Sequence, residues 1–354
     1  MNFTVPHPSG LKPYRRAATA AAALAMLATL EGPAWAQPLP QGGTVVQGSG
    51  TLQQTGSTLT ITQHTDKLVT DWQQFSIGTG HTVQFVQPSA TAVALNRVTG
   101  SDPSVIQGAL RANGQVFLIN PNGVLFSPSA LVEVGGLLAS TLSMSNDDFM
   151  QSRYRLAGDS SAAVINQGQM TAAKGGTLAL VAARVVNEGQ MQAPQGLVAL
   201  GAGRLVTLDM GGPVKLVVEE GALNALITQG GAIRTPGGTV LLTAKAAGDL
   251  ASTVIRHTGT SEARTLASGE AGEIMLLGDM VNDRIEVAGT LDASAPEGGN
   301  GGFIDTSASN VRLSPGLSVT TRAPHGQTGT WLIDPQDYLI AASGGDITGA
   351  QLSA

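Results

Sequence analysis

The chain has 354 residues, 12% of them charged and 4% aromatic, with 46 glycines, no cysteine and a formal net charge of −6. The missing cysteines exclude disulfides and thiolate metal sites. An acidic chain without a basic stripe offers no electrostatic footprint for nucleic acid.

In chain order, the first 36 residues read as a secretory signal. Lys12, Arg15 and Arg16 form a positive leader, Ala17 to Leu30 an apolar stretch too short to span a bilayer comfortably, and Pro33 breaks it. Ala34-Trp35-Ala36 then supplies a cleavage site before Gln37.

From residue 37 to about 150, short runs rich in Val, Ile, Leu and Thr alternate with Gly, Pro, Asn and Asp. "LTITQ" (59–63), "HTVQFVQ" (81–87) and "TAVALNRV" (91–98) show the period-two pattern of half-buried strands. "VFLINPNGVLF" (116–126) places Asn120-Pro121-Asn122-Gly123 between two apolar runs without alternation, as expected of strands buried on both faces. Pro121 suits the first central position of a type I turn, Asn122 the second, and Gly123 the residue leaving it. A turn alone does not explain why both asparagines are present. The best helical candidate is "SNDDFMQSRYRL" (145–156), capped by Ser145 or Asn146 with Asp147 and Asp148 at its start.

Beyond residue 160 the chain repeats. "INQGQMTA" (165–172) recurs as "VNEGQMQA" (186–193), a step of about 21 residues, and each copy leads to a strand-like run, "GGTLALVA" (175–182) and "QGLVALGA" (195–202). Looser copies at 227–244 and 285–308 follow at about three such steps each. Such a period with Gly-rich corners and no heptads marks a solenoid. A leucine-rich repeat lacks its Leu frame here, which leaves a parallel β-helix whose corners take residues tolerating positive φ. "GTWLIDPQDYLIAASGGDITGAQLSA" ends in mid-pattern, so the chain is expected to be the front part of a longer protein.

Nothing in the sequence assembles into a catalytic or metal centre. His7, His64, His81, His257 and His325 are scattered without ligand spacing and read as surface or turn residues. Asp147-Asp148 and Glu219-Glu220 are adjacent, so on strands they face opposite sides, and they read as solvated. "GGNGGFID" (298–305) has Phe303 where a calcium β-roll needs an acid, and "GAGRLV" (201–206) lacks the third glycine of a dinucleotide fingerprint. No enzyme activity, metal or cofactor is expected.

Read together, "DWQQFSIG" (71–78), "VQFVQPSATAVALNRVTGSDPSVIQGALRANGQVFLINPNGVLFSP" (83–128) and "VEVGGLLAST" (132–141) resemble the secretion domain of filamentous-haemagglutinin-type exoproteins, the secreted members of bacterial two-partner secretion systems. "GTWLIDPQDYLIA" (329–341) resembles a segment found downstream in many of them. The landmarks of the likeness are Trp72, Phe75, Asn96, Arg97, Asn113, Gly114, Gly135 and Gly136 around Asn120, Pro121, Asn122 and Gly123. An Asn-Pro-Asn-Leu motif carried by some members is absent, which places this chain in another subgroup.

The resemblance implies an all-β fold, a right-handed parallel β-helix with an N-terminal cap and extra-helical hairpins. It implies a signal peptide (1–36), a two-partner secretion domain (37–280) and continuing rungs at the start of an adhesin-type passenger (281–354). It implies no enzyme but a targeting and folding module, secreted or displayed at the bacterial surface by way of the periplasm. The implied partners are the Sec export machinery, an outer-membrane β-barrel transporter with POTRA domains, and a receptor met by the full-length protein. The tetrad 120–123 is expected to mark transporter recognition or a structural turn. A contact-dependent toxin or haem-acquisition exoprotein is the alternative parent, and a β-helical carbohydrate-active enzyme a more distant one.

Overall fold

The computed structural model describes residues 38–209, 216–248, 252–343, 345 and 347–349. The leader and its cleavage residues Ala34, Ala36 and Gln37 lie outside these.

One turn of the coil shows the plan. The chain runs through Gln115–Ile119, turns at 120–123 into Val124–Phe126, turns again into Leu131–Val134, and passes Gly135 into Gly136–Ser140. Gly136–Ser140 lies parallel to Gln115–Ile119, with Leu137 opposite Val116 and Ala139 opposite Leu118. Repetition of this path builds two eleven-stranded sheets and one eight-stranded sheet around a shared interior. The architecture is the right-handed parallel β-helix, the hand that parallel crossovers take. Backbone hydrogen bonds run from rung to rung, and alternate side chains point into the interior.

The first strands reverse direction. Thr44–Gln47 pairs antiparallel with Lys67–Trp72, and Gly50–Thr55 forms a hairpin with Thr58–Gln63, so the N-terminal end is a cap. A second departure lies outside the coil. Tyr154–Ala157, Leu205–Leu208 and Leu216–Glu220 form a three-stranded antiparallel sheet, and Asn146–Met150 is a short α-helix. The excursions leave the coil at the corner that the tetrad occupies, the first one rung after it and the second three rungs after it. Ser145 caps the helix by accepting a bond from the Asp148 amide at 3.1 Å.

These excursions give the protein two cores. The inner one holds Trp72, Phe85, Val116, Leu118 and Phe126 and continues through Leu178, Ile227 and Ile274. The outer one lies between the first sheet and the excursions and holds Val69, Leu95, Phe117, Ile119, Phe149 and Tyr154. The run Val116–Ile119 is therefore buried on both faces, as its lack of alternation predicts. In Val124–Phe126 only Val124 and Phe126 are buried, and Leu125 is partly exposed on the uncovered side of its sheet. "TAVALNRV" departs from simple alternation for the complementary reason. Asn96 and Val98 point inward, while Val93 and Leu95 lie beneath the outer layer.

The repeat step holds where corners are short. Asn166 pairs with Asn187 and Met170 with Met191, a shift of 21 residues. The looser copies stand two rungs apart, not three. Val185 pairs directly with Ile227, and Ile227 reaches Ile285 through Ile255. The excursion between Ala202 and Leu226 and the longer corners that follow it use the remaining residues.

Corner glycines follow the expected rule and a second one beside it. Positive φ occurs at Gly175 and Gly237, but the next residue of each corner has an ordinary φ. A Cβ on Gly176 would lie 2.1 Å from the Gly135 carbonyl oxygen, and one on Gly196 would lie 2.1 Å from that of Gly176. Close approach of stacked backbones selects glycine there.

Candidate functional site

The sequence landmarks fall into two corner braces and a core cluster, all within the first rungs. In the tetrad, Gly123 N–H bonds to Asn120 O at 3.0 Å, which closes the turn, and Gly123 has φ +115°. Proline presets the turn, and glycine supplies the backbone region that other residues avoid.

The two asparagines have separate tasks. Asn120 is fully buried. Its Nδ2 donates to Asp102 O and to Ser104 Oγ, each at 3.0 Å, and its Oδ1 accepts the Asn122 N–H at 2.9 Å. Its own N–H bonds to Ser140 O at 2.9 Å. One residue thus ties the preceding rung, its own turn and the following rung. Asn122 is exposed, yet its Nδ2 donates to Gly100 O at 2.9 Å. Ser160 Oγ donates to Pro121 O at 2.6 Å, which links the turn to the excursion that follows the helix. Beside the tetrad, Gln41, Gln73, Gln74, Gly100, Ser101 and Asp102 line an open polar cleft of about 480 Å³.

The second brace lies at the opposite corner. Asn113 accepts the Gln87 N–H and donates to Gln87 O, both at 2.8 Å, as a strand partner does. Gln87 Nε2 donates to Gln63 Oε1 at 3.0 Å, and Gln87 Oε1 accepts the Gly114 N–H at 3.0 Å. Gly114 admits no side chain, because a Cβ would lie 2.7 Å from both Ala92 O and Gln87 Oε1. Gly135 rests on Gly114, where a Cβ would meet its carbonyl oxygen at 2.6 Å. Gly136 has more room, with Thr177 O at 3.2 Å from a built Cβ.

Trp72, Phe75 and Asn96 form the core cluster. Trp72 Nε1 donates to Asn96 Oδ1 at 3.0 Å, and the rings of Trp72 and Phe75 meet edge to face at 5.5 Å. Asn96 satisfies the indole N–H that a buried tryptophan must pair. Arg97 lies outside this cluster and grips Asp71 through Nε at 2.9 Å and Nη2 at 2.8 Å.

Sequence reading missed Gln63, Gln87, Ser104 and Ser160, all of which hold landmark residues in place. Their signal was weak because a lone Gln or Ser near a turn has no distinctive spacing. The histidines also need a correction. His257 is fully buried in the repeat region, with Nδ1 2.8 Å from Ala288 O and Nε2 2.9 Å from Ser261 Oγ. Burial holds its ring below the ordinary value of 6.5. It stands in register with Gln229, which with Asn187 and Asn166 forms an internal stack of amides. Gly302 of "GGNGGFID" is a corner glycine, because a Cβ there would lie 2.0 Å from Gly272 O. Among the described residues no three His, Asp or Glu side chains are grouped to hold a metal ion.

These braces tie each rung of the coil to its neighbours. The family model for the TPS secretion domain matches residues 36–293. The chain belongs to the TPS secretion domain family.

It is 46% identical over 120 residues to the heme/hemopexin-binding protein of Haemophilus influenzae (strain ATCC 51907 / DSM 11121 / KW20 / Rd), over 33% of this chain and 13% of that protein. A second heme/hemopexin-binding protein of Haemophilus influenzae is 46% identical over 121 residues, with the same coverage. The match thus takes in only a small part of these relatives. The crystal structure of the HMW1 secretion domain from Haemophilus influenzae superposes with a TM-score of 0.72 at 28% identity, over 80% of this chain and 73% of that one. The chain is accordingly a secretion-targeting module. TPS exoproteins pass the periplasm and outer membrane to the cell surface or the milieu, each with a cognate outer-membrane transporter.

Proposed function

We propose that residues 37–280 deliver an exported adhesin- or haemagglutinin-type protein to its outer-membrane β-barrel transporter, and that residues 281–354 carry the coil onward into the passenger. In this reading the Sec machinery moves the chain to the periplasm on the leader 1–36, and the transporter's POTRA domains receive the N-terminal segments. The observation that carries it is the tetrad itself. Asn120 is buried with its side-chain amide bonded across rungs, and the exposed Pro121 and Asn122 stand at the corner above the polar cleft. Asn120 serves the fold, and the surface of the turn is left to a partner.

Secretion of the full-length protein with and without the cognate transporter tests the first part, and transporter-independent secretion overturns it. Asn120→Ala and Asn122→Ala then separate the two asparagines. The expected result is that Asn120→Ala folds poorly in vitro and is secreted poorly, while Asn122→Ala folds normally and loses secretion. Wild-type secretion of Asn122→Ala removes the turn surface from recognition.

A second reading of the parent, a haem-acquisition exoprotein, is favoured by the 46% identity to two heme/hemopexin-binding proteins. Retention of the full-length secreted protein on haem-agarose supports it. Absence of retention, together with adhesion to host or bacterial cells, leaves the adhesin.

A further inference from the structure

The outward face of the first rungs is apolar, and its cover comes from far along the chain. Val69, Leu95, Phe117 and Ile119 are all at 1% exposure or less. Phe117 meets Tyr154 edge to face at 4.9 Å and Phe149 at 6.0 Å. The rungs that carry Val69 and Leu95 therefore cannot complete their burial until residues near 150 are present.

The covering helix Asn146–Met150 is too short to persist alone, because one turn does not recover the entropy of its nucleus. Ser145 caps its start. At its other end Lys67, from the first rung, donates through Nζ to Phe149 O at 2.9 Å, Met150 O at 2.8 Å and Ser152 Oγ at 2.6 Å. The ammonium thus meets carbonyls at the helix C-terminus, where positive charge is favoured, and shares Phe149 O with the Ser152 N–H at 3.0 Å. It also lies 5.7 Å from the centroid of the Phe149 ring. Arg97, from the second rung, donates through Nη1 to Asn146 Oδ1 at 3.0 Å while holding Asp71. One helix of five residues is thus pinned at both ends by cations from two earlier rungs.

We propose that Lys67 and Arg97 are positioning residues of a clasp that makes closure of the N-terminal rungs conditional on the arrival of residues 142–156. Val69, Leu95 and Phe117 then form a native face only after the helix docks. In a chain that leads with its N-terminus through a transporter, the clasp keeps the segment bearing the tetrad open until about one further rung and its excursion have followed. This last consequence rests on the transporter reading above. The clasp itself does not.

Pulsed hydrogen exchange during refolding of the full chain tests the order of events. The peptides 67–72, 93–98 and 115–119 are expected to gain protection in the same phase as 146–157. Protection of 67–72 and 115–119 in an earlier phase than 146–157 overturns the proposal. In Lys67→Gln, native-state exchange in 67–72 and 115–119 should rise at least tenfold with 239–244 unchanged, and Lys67→Arg, which keeps charge and donors, should restore most of the protection. Exchange unchanged in Lys67→Gln, or raised equally in 239–244, also overturns it. The export arm compares wild type and Lys67→Gln with the transporter present. Transporter-dependent wild-type secretion with a clasp absent in the refolding arm sinks the clasp alone. Transporter-independent secretion with the clasp intact sinks the transporter reading alone.

Discussion

Before Ser140 the interior is filled by Trp72, Phe75, Phe85 and Phe126, whereas beyond Ala163 it is filled by Val185, Met191, Ile227, Ile233 and Val240. The earlier rungs are braced at two of their three corners by different sets of amides, Gln63–Gln87–Asn113 at one and Asn120–Asn122 at another. The later ones use one device repeatedly, the stack Asn166–Asn187–Gln229. The outer side differs as well. Phe117 and Ile119 are sealed under the excursions, while Leu332 on the same sheet is 40% exposed. The comparison separates two ways of making a solenoid cohere. Repetition lets each rung template its neighbour, and the N-terminal part, with its individual fit, must be completed from outside.

The largest test of this contrast is Phe117→Ala. It removes the ring that both Phe149 and Tyr154 meet, and a loss of about 4 kcal/mol is expected in urea unfolding. Native-state exchange should place the damage in 67–140 and spare 239–277, and uniform damage would break the distinction. Next comes Gly196→Ala in the repetitive part, where the new Cβ meets the Gly176 carbonyl oxygen at 2.1 Å. Backbone cannot yield as a side-chain end does, and about 3 kcal/mol is expected. Here the damage should centre on 175–202.

Asn120→Ala leaves the Asn122 N–H and Ser104 Oγ without their partner, for a loss of about 2 kcal/mol in urea unfolding. Asn122→Ala, exposed and replaceable by water, should lose under about 1 kcal/mol. Equal losses would remove the division of labour between the two asparagines. The smallest effect belongs to His257. Burial lowers its folded-state value below the ordinary 6.5, so the unfolded chain takes up the proton first as pH falls. Its contribution is therefore full above the ordinary value of 6.5 and declines as pH falls below it. His257→Gln should flatten that part of the pH–stability profile, measured as the urea midpoint at each pH.

Much of this was legible from residues alone, for identifiable reasons. The step from Asn166 to Asn187 is printed in the sequence because short corners keep rung length constant. The turn at 120–123 follows from Pro121 and Gly123, and the cap at Ser145 from its own chemistry and the acids behind it. Other features were hidden by distance. Lys67 is an ordinary strand lysine until Phe149 O, 82 residues later, stands beside its ammonium. Asn96 sits in an alternating run and gives no sign that it answers a buried indole. The looser copies misled in count because the excursion after Ala202, and then the longer corners beyond Leu226, add residues without adding a rung. The corner glycines were recognised for positive φ, which Gly175 and Gly237 show, but the backbone that crowds Gly176 and Gly196 is supplied only by the stacked structure.

The direction of the ladder bonds also bears on mechanics. Strands run across the coil and their hydrogen bonds run along it, so a pull on the two ends loads those bonds in tension, one layer at a time. Such an object peels from an end at modest force instead of shearing all at once. Lys67 interrupts that sequence, because its ammonium joins the first layer to carbonyls that belong beyond the fourth. The layers between Lys67 and Ser152 are thereby riveted into a block that must fail together, a firm grip at one end of a rod that is otherwise free to unravel.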